Sequence, residues 1–176
     1  AVTIGSTSTA SNGNVDISNA SGDITVSTAI TANGSGNVTL NSAGALNLNN
    51  ALSTNSGIIS LTGATGVTHS VDGDLTTGGA GTITVGATSG DVTMADGTVY
   101  TAAGGAVAIT GATNVALGQV ANSSGTTNVT ATAGAITDVT AGEGSGNENV
   151  SGTTLTFSSA TGVGSSGAAN DVDVAA

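Results

Sequence analysis

The chain has no lysine and no arginine among its 176 residues, while eleven aspartates and glutamates give it a formal charge of -11. Without a cation to displace counterions from phosphate or to meet anionic head groups, binding to nucleic acid or to a lipid surface loses its main attractive force. Neither a nucleic-acid partner nor membrane insertion is expected, and no apolar run approaches the ~20 residues that span a bilayer. No basic segment followed by an apolar one precedes Ala1. The sequence also starts without Met, so it reads as a processed product or an excised segment. Cysteine is absent, which removes disulfide staples and fits either a reducing compartment or an exported protein that needs none. Proline is absent too, leaving every backbone donor free to pair. Ile, Leu, Val and Phe number only 36, too few to fill a rounded core. Yet the mean hydropathy is mildly positive, +0.28, and charged residues make up 6%, which is not the composition of a disordered tail.

What the chain does have is a recurring unit: an aliphatic residue, one small polar residue, then a second aliphatic. Val15-Asp16-Ile17, Ile24-Thr25-Val26, Val38-Thr39-Leu40, Ile59-Ser60-Leu61 and Ile83-Thr84-Val85 show it. The period is two, β-branched residues dominate, and Gly, Asn, Ser and Asp separate the units, so short strands and turns are predicted with no helix. One series of pairs starts at Val15, Val38, Ile59, Ile83, Val107, Val129 and Leu155, and a second at Val2, Ile24, Leu46, Val67, Val92, Val115, Ile136 and Val163. A weaker third column is read at Ile30, Leu52, Leu75, Val99, Val120, Val139 and Val172.

Three short strands in each repeat of about 22 residues is the pattern of an all-β parallel β-helix of about eight coils, a single domain over residues 1–176. Stacked coils bury in continuous ladders the aliphatics that one coil cannot bury alone. Gly13, Gly36, Gly57, Gly81 and Gly105 stand just before first-series strands, where a tight corner needs positive φ or a missing side chain. Asn14, Asn37 and Asn128 precede first-series strands and are expected to form amide ladders; Asp23 and Asp91 precede second-series strands as turn caps. The regularity breaks at residues 142–149, read as a loop insertion.

The stretches Gly36-Asn37-Val38-Thr39-Leu40, Gly44-Ala45-Leu46-Asn47-Leu48, Gly57-Ile58-Ile59-Ser60-Leu61 and Ala133-Gly134-Ala135-Ile136-Thr137-Asp138 resemble the repeats of filamentous haemagglutinin-type adhesins and related giant bacterial surface proteins. The resemblance covers nearly the whole chain. It implies a right-handed β-helix, extracellular at a bacterial surface and commonly delivered by an outer-membrane transporter. The amino-terminal secretion domain of such adhesins is not found in this sequence.

Catalytic chemistry has little to work with. A lyase on this scaffold would need a cation or a metal to stabilise developing negative charge, and His69 is the single histidine. In Val67-Thr68-His69-Ser70-Val71 it takes the place of an inward aliphatic, which points to a buried or corner histidine bonded to a backbone carbonyl rather than to a base or a ligand. Asp72-Gly73-Asp74 is the only candidate metal site, a weak calcium pair from oxygen donors; no other cofactor is expected. A hydrated turn is the plainer reading, because the twelve-residue calcium loop and the glycine-rich nonapeptide are both missing. Asp171 and Asp173 alternate onto the outer face of an edge strand. Asn19, Asn33, Asn37, Asn122, Asn128 and Asn149 open Asn-X-Ser/Thr triplets, a match expected by chance in so Ser/Thr-rich a chain.

The resulting expectation is a non-catalytic extracellular rod or fibre segment. Its first and last strands begin and end partway round a coil, so the expected partner is itself, through coil-on-coil stacking or within a longer solenoid. A carbohydrate- or cell-binding adhesin module is the alternative, weakened because Tyr100 and Phe157 are the only aromatics. An ice-binding hydroxyl array, suggested by Thr82 and Thr84, Thr130 and Thr132, and Thr154 and Thr156, is interrupted by Ala106 and Ala108.

Overall fold

A computed structural model describes residues 1–140, 148–164 and 171–175. Alternation of small polar and β-branched residues builds strands of two to six residues, and no helix occurs among the described residues. The strands form three parallel sheets, which we call A, B and C. The chain visits them cyclically: in one coil Val38–Ser42 lies in sheet C, Ala45–Leu48 in sheet A and Leu52–Thr54 in sheet B. Sheets A and B each stack eight strands and sheet C seven. Among the described residues that is seven complete coils plus one further strand in each of sheets A and B, close to the expected eight. The chain is a β-solenoid.

Register explains the packing. Val38 pairs with Ile59, Ile59 with Ile83 and Ile83 with Val107, steps of 21, 24 and 24 residues, and each of these four side chains is fully buried. Sheets A and B supply equivalent ladders, for example Ile24, Leu46 and Val67 in A and Ile30, Leu52 and Leu75 in B. A single apolar column runs down the axis of the coils, each buried aliphatic contributing on the order of 1.5–3 kcal/mol over its exposed state.

The sequence-derived columns need three corrections. In sheet C, Val107 pairs with Thr127 and Ile109 with Val129, so Val129 belongs one inward position later than expected and Leu155 aligns with Thr127. Asn128 consequently does not precede its strand; it faces outward from the middle of it, between Ala108 and Thr156. In sheet B the inward residue is Tyr100, not Val99; Val150, not Val139; and Val174 pairs with Val150 where Val172 was expected. Residues 142–147 of the expected insertion lie outside the described residues.

The glycine series has one of its two anticipated reasons. None of Gly13, Gly36, Gly57, Gly81 and Gly105 has positive φ. Instead, a Cβ on Gly36 would stand 2.1 Å from the Gly13 carbonyl oxygen. The corresponding distances are 1.9 Å from Gly57 to Gly36, 2.4 Å from Gly81 to Gly57, 1.9 Å from Gly105 to Gly81 and 2.1 Å from Gly125 to Gly105. In these five steps of the B–C corner each coil lies directly on the glycine of the coil before, leaving no room for a Cβ; the next coil puts Thr153 over Gly125.

Candidate functional site

Two side-chain devices recur at the corners. The first is a clasp at the last inward position of a strand, where the side chain bonds a group three or four residues on and holds the turn closed. In sheet B this column contains Thr54, Thr77 and Asn122, which donate to the carbonyls of Gly57 (2.9 Å), Gly81 (3.0 Å) and Thr126 (3.1 Å). Thr9, just past the first strand of that sheet, does the same to Gly13. Ser42 clasps the C–A corner through the Ala45 carbonyl. Ser42, Thr54, Thr77 and Asn122 are buried and Thr9 half-buried, so each bond pairs side-chain and carbonyl groups largely withdrawn from water.

The second device is a bracket at the residue just before a strand, whose side-chain oxygen accepts the backbone N–H of the coil above. Asn14 receives Asn37 and Asn37 receives Ile58 at the B–C corner. At the C–A corner Asp23 receives Ala45, Asp91 receives Asn114, and Asn114 receives Ala135. At the A–B corner Asp74 receives Val99 (2.7 Å) and Asn149 receives Asp173 (2.9 Å). The expected caps at Asp23 and Asp91 are thus bonds between coils rather than within one turn. Asp91 also accepts the Thr113 hydroxyl; that bond, with the Asn114 N–H, holds its carboxyl below the usual range.

His69 occupies the clasp position of sheet A, in register with Leu48, and is 2% exposed. Its Nδ1 lies 2.7 Å from the Gly73 carbonyl, which can only accept, so Nδ1 carries the proton. Nε2 is then the acceptor for the Tyr100 hydroxyl, 2.7 Å away, with the two rings tilted at 55°. Burial pushes the imidazole down to about 4, against a smaller opposing effect of the Gly73 bond. The same burial raises the Tyr100 phenol well above its ordinary value. Both groups therefore stay neutral across the physiological range, and both ring nitrogens of His69 are engaged inside the coil stack. The sequence indicated the carbonyl bond; Tyr100 was missed because its partner lies 31 residues away.

The Asp72–Asp74 pair is divided by the same geometry. Gly73 N–H closes a turn onto the Ser70 carbonyl, Asp72 is exposed on that turn, and Asp74 reaches the adjacent coil. Among the described residues no group of three or more His, Cys, Asp or Glu side chains is placed to hold a metal ion. One more acid, Asp138, ends the sheet A strand Ala135–Asp138. Asn149 is fully buried and donates to Asp138 Oδ1 and to the Thr140 hydroxyl, both at 2.6 Å. Among the sequence triplets, Asn122 and Asn149 are both buried and bonded in this way, which puts their amides out of reach of solvent.

No family model matches the chain, and neither a curated protein nor a solved structure matches it.

Proposed function

We propose that the chain is a non-catalytic, extracellular structural segment: a solenoid rod of a bacterial surface adhesin or extracellular filament, suited to stacking end on with further coils. The observation that carries this reading is the fate of the side chains. Aliphatics fill most of one interior, the polar side chains within it clasp turns or pair with each other, and Asp23, Asp74, Asp91 and several corner amides bond the backbone of the coil above. Nothing in that arrangement converges on a substrate; all of it serves repetition of the coil.

The end coils support the stacking element. Central inward residues such as Ile83 and Val107 are fully buried, whereas Val2, Val163 and Val174 on the outermost strands are 41%, 46% and 52% exposed. Further coils, of the same polypeptide or of another copy, would cover those side chains and pair the open strand edges. Such head-to-tail contacts do not close on themselves and generate filaments. The resemblance to filamentous haemagglutinin-type repeats supports surface exposure and the adhesin setting. The carbohydrate-binding alternative is not favoured, because Tyr100 is buried and Phe157 points inward in register with Val129.

Electron microscopy of the purified chain over a concentration series tests the proposal. Short rods that lengthen by end-on joining are expected. Compact particles that never elongate, or turnover of a polysaccharide by the pure chain that is lost in His69→Ala, would overturn it.

A further inference from the structure

The three sheets end in six edge strands, and five of them are blunted. Those of sheets A and B are only two or three residues long: Val2–Ile4 and Gly162–Val163 in A, Thr7–Ser8 and Val174–Ala175 in B. The first strand of sheet C, Val15–Asn19, carries Asp16. Shortness and charge are means by which natural sheets keep an open edge from pairing with another chain. The last strand of sheet C, Thr154-Leu155-Thr156-Phe157-Ser158-Ser159, has neither: it runs for six residues with no charge and no proline.

Its ladder also stops short. Along sheet C the first inward N–H of a strand donates to the coil above: Val15 to the carbonyl of Asn37 (2.8 Å), Val38 to Ile58 (2.9 Å), Ile59 to Thr82 (2.9 Å) and Ile83 to Ala106 (3.0 Å). Leu155 holds the same place in the last strand, and among the described residues no strand lies above it to supply the acceptor. Leu155 and Phe157 continue the columns of Val107 and Ile109, which are fully buried, yet both are only half-buried.

We propose that this edge is a strand-acceptor site, at which an extended, uncharged peptide segment with aliphatic residues at alternate positions adds to sheet C in parallel. One aliphatic covers Leu155 and the next covers Phe157. Main-chain bonds of the ladder supply the affinity, and the two half-open inward places supply the preference for aliphatics. A charge at either place would be buried without a partner, so charged segments are excluded.

Strand count gives the site a role in the proposed end-on joining, and that role alone rests on the end-on reading. Sheets A and B have eight strands and sheet C seven. When a second copy joins with A on A and B on B, its Val15–Asn19 stands two strand spacings from Thr154–Ser159, about 10 Å, which leaves sheet C one strand short. An added segment completes the junction.

Residues 36–42, Gly-Asn-Val-Thr-Leu-Asn-Ser, contain a strand of this sheet and serve as a synthetic probe. With Val38 over Leu155, Thr39 stands over Thr156, so a Thr39→Cys peptide should form a mixed disulfide with a Thr156→Cys chain across the ~4.8 Å between neighbouring strands. The chain has no cysteine of its own. Asn128→Cys is the control, exposed in the same outward column but one coil below. In a thiol–disulfide buffer, trapping at Thr156→Cys is expected to exceed that at Asn128→Cys by about ten-fold or more, and to fall to the control level when the peptide also carries Leu40→Asp. That change lies in the peptide and leaves the fold of the chain untouched. Electron micrographs should show longer rods with the unsubstituted peptide than without it. Equal trapping at the two positions, or trapping indifferent to Leu40→Asp, would overturn the acceptor site. Rods that lengthen equally with and without the peptide would overturn the strand-short junction, since a copy turned by one side of the coil joins without an extra strand. Selective trapping in a chain whose rods never lengthen would uphold the acceptor edge and remove end-on joining.

Discussion

The B–C and A–B corners are made by the same chain under the same repeat, yet they behave differently. B–C connections run from two residues (152–153) to six (9–14), carry no acid, and keep glycine beneath the carbonyl of the preceding coil through five successive contacts. Fully described A–B connections run from the single Gly118 to the five residues 70–74 and 94–98, and this corner holds most of the described acids. Close backbone stacking fixes the path of the B–C corner through its glycine, while the number of residues before that glycine varies. Side-chain brackets, as at Asp74, tolerate a change in path because a lengthened loop can still end in an acceptor. Charge collects at the corner that lacks the repeated glycine-on-glycine contact, although Gly73 and Gly118 there also lie close to the Leu48 and Thr98 carbonyls of the coil before.

The sharpest way to break this comparison is to place a methyl at the B–C corner. In Gly105→Ala the new Cβ would lie 1.9 Å from the Gly81 carbonyl oxygen, a backbone atom that cannot swing aside. A loss at the upper end of, or beyond, the ~1–3 kcal/mol typical of overpacking is expected in urea unfolding. Inserting Gly-Ser between Asn49 and Asn50, at the A–B corner, should cost less than about 1 kcal/mol, since loop entropy grows slowly with length. The same insertion between Asn55 and Ser56 should cost several times more. Equal penalties at the two corners would remove the distinction.

Much of the solenoid was legible from alternation alone, because most inward positions are aliphatic and most outward ones are not. Errors arose where an inward position is polar. Thr127 fills a place held by Val107 and Leu155 and shares Asn122 as a bonding partner, so a search for aliphatics passed over it to Val129. Tyr100 was displaced by its neighbour Val99 for the same reason. The corner devices were harder to read, since a bracket is defined by a backbone N–H about one coil away. Asp74 looks like half of a local Asp-Gly-Asp motif until its partner Val99 is known.

A second effect compares two clasps with similar geometry. Thr77 bonds Gly81 at the B–C corner and His69 bonds Gly73 at the A–B corner, each across four residues, but only His69 titrates. Folding lowers the His69 pKa from 6.5 to about 4, so between those values the unfolded chain binds the extra proton and the folded chain does not. This contribution is fully present above about pH 6.5 and is lost as the pH falls to about 4, amounting to about 3 kcal/mol at most. His69→Leu should flatten the stability profile in that window while lowering stability above it, since the Tyr100 hydroxyl and the Gly73 carbonyl both lose a partner. Thr77→Val should cost about 1–2 kcal/mol with no such slope. Denaturant melts from pH 4 to pH 7.5 distinguish these outcomes; a histidine-independent slope would assign the acid sensitivity elsewhere.

The smallest effect separates the two carboxylates of the A–B corner. As a bracket, Asp74 supplies an acceptor to a backbone N–H that would otherwise be left without one, comparable to a helix cap. Asp74→Ala should therefore cost about 1 kcal/mol, with or without calcium. Asp72 is exposed on the turn, and Asp72→Ala should change stability by less than about 0.5 kcal/mol. A calcium site would give a different pattern: both substitutions would matter, and only when the ion is present, because ligand binding stabilises in proportion to its occupancy. Asn at position 74 adds a further discriminator. It keeps an acceptor oxygen for Val99 N–H but loses the charge, so Asp74→Asn should retain most of the bracket's stability and would lose most of a cation's affinity. Thermal melts of the three variants in chelator and in millimolar calcium decide between them. A wild-type melting point raised by calcium and unchanged by calcium in both Asp72→Ala and Asp74→Asn would show that the pair acts as a ligand set as well as a bond between coils.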